Sequence, residues 1–108
     1  MEKSKLIYFL NKSLSEITFL LDISDKNFDI EKLEQEIYYV LNVENGNKNV
    51  YSENGVIYPI NLYVRIKSDR FNFNYSICVY TMNFIYDINW DNVISVVENI
   101  FNIKAIEQ

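Results

Sequence analysis

Fifteen acidic side chains, one cysteine and no histidine are the raw material for chemistry in this chain. Without histidine, no side chain has an unperturbed pKa near neutrality, so a general base would have to be a strongly shifted carboxylate. Serine–histidine triads, histidine-containing zinc sites and cysteine clusters are excluded outright. Cys78 sits in an alternating segment, distant along the chain from Arg65 and Lys67, and reads as a small half-buried filler, not a nucleophile. Both glycines fall in Asn-Gly pairs, Asn45-Gly46 and Asn54-Gly55, so no glycine-rich loop is present to cradle a phosphate. The expectation is a non-enzymatic chain with no catalytic residue, no metal site and no cofactor.

One spacing imitates a metal loop. Asp25, Asn27, Asp29, Glu31 and Glu36 fall at positions 1, 3, 5, 7 and 12 of a calcium-binding template. Position 6, which needs glycine for its sharp turn, is Ile30, and the apolar rhythm from Ile30 to Leu41 demands helix there. These carboxylates therefore read as a capped acidic helix start.

What remains is surface. Residues 16–53 carry nine acids against three bases, whereas residues 57–82 have a net charge of +2. On a helix with Ile30, Leu33, Ile37, Val40 and Leu41 turned inward, Glu31, Glu34 and Tyr38 share one flank, and Tyr39 points away from the core. Tyrosine among carboxylates suits contact with a basic protein surface. A second candidate face carries Tyr63 and Arg65, together with Lys67, Arg70, Asn72, Asn74, Ser76 and Tyr80, along a predicted hairpin. Such a face resembles single-strand RNA binders. The overall charge of −5 weighs against direct nucleic-acid binding.

The elements that must position these residues follow from hydrophobic period. Leu6, Leu10, Leu14, Ile17 and Leu21 recur at helical spacing, which predicts an N-terminal helix over residues 3–21; a strand over 17–21 is the alternative. Residues 24–27 form a polar break, and Asp29 caps a second helix from Ile30 to Leu41. Asn54-Gly55 predicts a short hairpin between residues 50–52 and 56–57. From Ile60 the period becomes two, predicting a long hairpin that pairs Ile66 with Phe71, Val64 with Phe73, Leu62 with Tyr75 and Ile60 with Ile77. Residues 84–86 extend the sheet, and a last helix runs from Trp90 to Asn102, capped by Asn89 or Asp87. The expected fold is a single α+β domain over residues 1–108: an antiparallel sheet of three to four strands, helices on one face, in the order α-α-β-β-β-α.

The 108 residues suffice for one domain. Half of them are Asn, Ile, Tyr, Lys or Phe, whose codons are AT-rich, which suggests a low-GC bacterium, its phage or a mobile element. No run reaches the 18 or so apolar residues of a membrane span, and a lone cysteine fits a reducing, cytoplasmic setting. In general character the chain resembles toxin-immunity and phage anti-defence proteins, a resemblance of composition. It implies a stoichiometric inhibitor of a basic, nucleic-acid-handling protein, with Glu31, Glu34, Tyr38, Tyr39, Tyr63 and Arg65 as candidate contacts. The alternative is a structural or assembly protein of a phage or mobile element, or a homodimer or other homo-oligomeric regulatory domain.

Overall fold

The computed structural model describes residues 4–23, 28–69, 74–82 and 88–108. The N-terminal segment is not a helix. Lys5–Asn11 (β1) and Glu16–Asp22 (β2) form an antiparallel hairpin, with Leu6 opposite Leu21, Tyr8 opposite Phe19 and Leu10 opposite Ile17. The helical spacing of Leu6, Leu10, Ile17 and Leu21 coincides with every second or fourth residue of two strands. A helix would strand Tyr8 and Phe19 off its stripe, whereas the hairpin turns both inward, their rings 6.1 Å apart. Leu14, expected in the core, is 51% exposed in the connecting 3₁₀ turn. The Asn11 side chain accepts from Ser13 Oγ and the Leu14 amide, and Ser15 closes the turn at φ 50°.

The second helix forms as the sequence predicts. Ile30–Tyr39 (α1) is capped by Asp29, whose carboxylate accepts from the Lys32 amide at 3.2 Å. Residues 30–36 are helical and therefore cannot wrap an ion, which removes the calcium-loop geometry. A π-helical turn, Val40–Glu44, continues α1 and ends where Val40 C=O accepts from both Asn45 N and Asn45 Nδ2. Asn45-Gly46 leads directly into a short 3₁₀ turn over Gly46–Lys48.

Val50–Glu53 (β3) and Val56–Pro59 (β4) form the expected hairpin, with Asn54 and Gly55 both at positive φ (52° and 78°), as a type I′ turn requires. Its base is fastened by Asn49, which is buried: Nδ2 donates to Leu41 C=O at 2.7 Å, and its own C=O accepts from Ile60 N at 2.7 Å.

Tyr63–Asp69 (β5) and Asn74–Tyr80 (β6) make the long hairpin in a different register from the one expected. Ile66 faces Ile77, not Phe71, and Val64 faces Val79, not Phe73. The slip of six residues is even, so Val64, Ile66, Tyr75, Ile77 and Val79 keep their shared face. Period-two patterning fixes the face but is blind to even shifts. Ile60 and Leu62, expected in the strand, are buried but lie ahead of it. The pairings expected for Phe71 and Phe73, the extension through residues 84–86, the polar break over 24–27 and a cap from Asp87 lie outside the described residues.

Trp90–Phe101 (α2) starts at Asn89, which accepts from the Asn92 amide, and ends at Asn102 in the left-handed region, φ 55°. The chain then returns as Ala105–Glu107 (β7), which pairs parallel to β1. Glu98 accepts from the Ala105 amide at 2.7 Å and fixes that return. The expected all-antiparallel sheet of three to four strands is thus a mixed sheet of five, ordered β5-β6-β2-β1-β7, beside the separate β3-β4 pair. The α+β class holds; the order begins with strands, β-β-α-β-β-β-β-α-β.

One face of the sheet (Leu6, Ile17, Phe19, Leu21, Ile66, Tyr75, Ile77, Val79) shares a buried cluster with Leu33, Ile37 and Leu41 of α1 and Val93, Val96 and Val97 of α2. Both helices therefore cover that face. The opposite face carries Ile7, Phe9, Leu20 and Ile106 on one side and Tyr63, Arg65, Lys67 and Tyr80 on the other.

The β5-β6 register is testable through the native thiol. Arg65 stands directly opposite Cys78, and cross-strand Cα separations of about 4.5–5.5 Å suit a disulfide. The variant Arg65→Cys should lose both free thiols on mild oxidation, read by mass spectrometry after alkylation. A Lys67→Cys variant should keep both.

Candidate functional site

The edge of the sheet at β5 is closed by side chains of a helix. Glu34, Tyr38 and Asn42 stand four residues apart, on one stripe along α1 and its π-helical continuation. At one end, Glu34 Oε2 accepts from the Ile66 amide at 2.7 Å. At the other, Asn42 pairs with both polar groups of Leu62: Oδ1 accepts from Leu62 N and Nδ2 donates to Leu62 C=O, each at 2.8 Å. The amide of Asn42 thus imitates a neighbouring strand. Ladder bonds alternate sides along a strand, so Val64, midway between Leu62 and Ile66, turns its N–H and C=O toward the same seam.

A groove of about 370 Å³ opens at the middle of this seam, lined by Glu34, Gln35, Tyr38, Tyr39, Val43 and Val64. Its walls are mainly apolar side chains, and Tyr39 and Val43 are 52% and 61% exposed. Tyr38 also reaches around the sheet edge, placing its ring 6.5 Å from that of Tyr63. Tyr63 in turn lies 5.7 Å from Tyr80, and the Arg65 guanidinium sits 5.3 Å from the Tyr80 ring centroid. A continuous aromatic path with a cation at its end therefore joins the α1 surface to the open sheet face.

Five of the six candidate contacts meet along this path: Glu34, Tyr38, Tyr39, Tyr63 and Arg65. Glu31 is exposed one turn before Glu34 on the same flank of α1. Glu34 differs from its expected role as a free carboxylate, since it is half-buried and one oxygen is committed to the β5 backbone. Sequence reasoning missed Asn42, Val43 and Val64. Asn42 lies four residues beyond Tyr38, so a helical wheel continued past Leu41 would have placed it on the stripe.

Cys78 lies half-buried on the open sheet face, its thiol 3.8 Å from Glu16 Oε2. Burial, and next the Glu16 carboxylate, push the thiol above its ordinary pKa, while Thr18 and Arg65 act in the opposite direction. The thiolate is the reactive form, so a raised pKa leaves the group sluggish at neutral pH. Among the described residues no group of three or more acidic or cysteine side chains could hold a metal ion, and no helix is long and apolar enough to cross a membrane.

No protein family, curated protein or solved structure matches the chain.

Two outcomes test this reading of the site. Glu34→Ala leaves the partly buried Ile66 amide without its partner and should lower unfolding free energy by about 1–3 kcal/mol, whereas Glu34→Gln, which retains an acceptor, should lose about 1 kcal/mol or less in urea titrations. Glu16→Gln removes a charge that holds the Cys78 thiol up, so alkylation at neutral pH should quicken about twofold to fivefold, and its pH profile should shift downward.

Proposed function

We propose that the chain is a non-enzymatic protein-binding module, a stoichiometric inhibitor that occludes a basic surface of a nucleic-acid-handling protein. The observation that carries this reading is the groove on the α1–β5 seam: an apolar, aromatic-walled depression flanked by Glu34 and, one turn away, Glu31. Exposed tyrosines supply contact area at little conformational cost, and rim carboxylates steer a cationic partner and raise its association rate. Net charge supports the same direction, with the acidic excess concentrated in residues 16–53.

A second reading, self-association, is favoured by the uncovered sheet face, where Phe9, Leu20 and Ile106 are 42%, 41% and 58% exposed. Light scattering separates the two: a monomer at micromolar concentration supports the inhibitor, and a defined oligomer broken by Phe9→Lys supports assembly through that face.

The direct test is capture from a lysate of the native host, with nuclease present. The wild-type chain should retain one basic protein at near-equal stoichiometry. Glu31→Lys combined with Tyr39→Ala should abolish capture while the thermal midpoint stays within about 3 °C, since both side chains are exposed. Undiminished capture by that variant would place the interface elsewhere.

A further inference from the structure

We infer that the groove on the α1–β5 seam is built to take an arginine side chain of the partner protein. This rests on the binding-module reading and specifies its central contact. Three features of the groove converge on that one side chain.

The walls come first. Tyr38, Tyr39, Val43 and Val64 present two rings and two branched aliphatic side chains. Such walls suit an unbranched hydrocarbon stem and, through the ring faces, a weakly hydrated cation. A purely apolar occupant would fit the walls but would leave the rim unanswered.

The rim comes second. Glu34 commits Oε2 to the Ile66 amide, and a carboxylate offers two oxygens with lone pairs to spare. The same seam carries the outward-turned carbonyl of Val64, between the two backbone positions that α1 has already claimed at Leu62 and Ile66. The occupant therefore meets two acceptors, a charged one from the helix and a neutral one from the strand.

The geometry of those acceptors comes third, and it separates arginine from lysine. A guanidinium presents five N–H donors in one plane, so it can serve a carboxylate and a carbonyl together while its flat face rests on a tyrosine ring. An ammonium is a compact, strongly hydrated point charge that gains less from ring walls. The chain already uses the ring contact internally, with the Arg65 guanidinium over Tyr80. Glu31, exposed one turn away, adds to the negative field at the mouth.

The test uses the full chain and n-butylguanidinium as probe, followed by amide chemical shifts, with n-butylammonium and n-butanol as comparisons. The guanidinium should shift Gln35, Tyr38, Tyr39, Val43 and Val64 in a saturable way. Butylammonium should bind the same positions about threefold to tenfold more weakly, and butanol more weakly still. Glu34→Gln, which keeps an acceptor for Ile66, should weaken the guanidinium about threefold to tenfold, and Glu31→Gln about twofold. Equal binding of the three probes, shifts confined to other surfaces, or a guanidinium affinity indifferent to both substitutions would each overturn the proposal. If the groove ignores the probe while capture still depends on Glu31 and Tyr39, the arginine anchor fails and the binding module stands. If the groove takes the probe in a chain that captures nothing, the groove chemistry holds and the inhibitor reading fails.

Discussion

An open strand edge is a row of unpaired amides and carbonyls, and the fold of this chain turns on how the edge at β5 is closed. Most proteins blunt such edges with charges, prolines or short strands, because an exposed edge recruits other chains. Here a helix lies along the edge and meets it with side chains. Glu34 takes the Ile66 amide and Asn42 takes both polar groups of Leu62. These bonds fix the rotation of α1 about its own axis, which in turn decides that Leu33, Ile37 and Leu41 face the core while Tyr39 faces solvent. At the far edge β7 has only three residues, too short to template much pairing, and it is held by Glu98 in the same manner. Two glutamates on two helices thus close the two ends of one sheet.

The consequence for function lies in what the seam leaves unfilled. Glu34 and Asn42 are eight residues apart, about 12 Å along a helix, and the strand residues they contact are four apart, about 13 Å. The two spacings match at the ends, so all three hydrogen bonds can be made at once. Between them stands Tyr38, exposed, with its ring 6.5 Å from that of Tyr63. A smaller residue would let helix and strand close up, and a β-branched one would fill the gap. Tyrosine does neither, and a groove remains.

How much of this was legible depended on the kind of pattern. Both helices were plain from the stripe and cap at Asp29–Leu41 and Asn89–Asn102, because each pattern is local and satisfied within one turn. The Asn54-Gly55 turn was equally plain, since both residues sit at positive φ. Periodicity failed where two structures share the same apolar positions: Leu6, Leu10, Ile17 and Leu21 suit a helix and a hairpin alike. What decided between them is non-local, namely the burial of Phe19 with Tyr8 packed beside it and the pairing of β1 with β7. The β5-β6 register was hidden for a related reason, since alternation specifies a face and leaves even shifts degenerate. The candidate contacts on α1 and β5 could each be named from exposure arguments. Their convergence, and the structural duty of Glu34, required knowing that α1 runs beside β5.

That dual position of Glu34 limits what the surface can become. A residue that only contacts a partner is free to change with it, whereas one that also closes a sheet edge is restricted to side chains that accept a hydrogen bond at that distance. Glutamine satisfies the backbone but drops the charge; aspartate keeps the charge but is one methylene short of the strand. The carboxylate at the rim of the groove is therefore dictated by the fold as much as by any partner, and only Glu31, with no such duty, is free to tune the field around it. An acidic rim beside an aromatic groove is then a property this architecture carries wherever its edge is closed in this way. Under the proposed reading, a basic partner would exploit a feature that folding has already put in place.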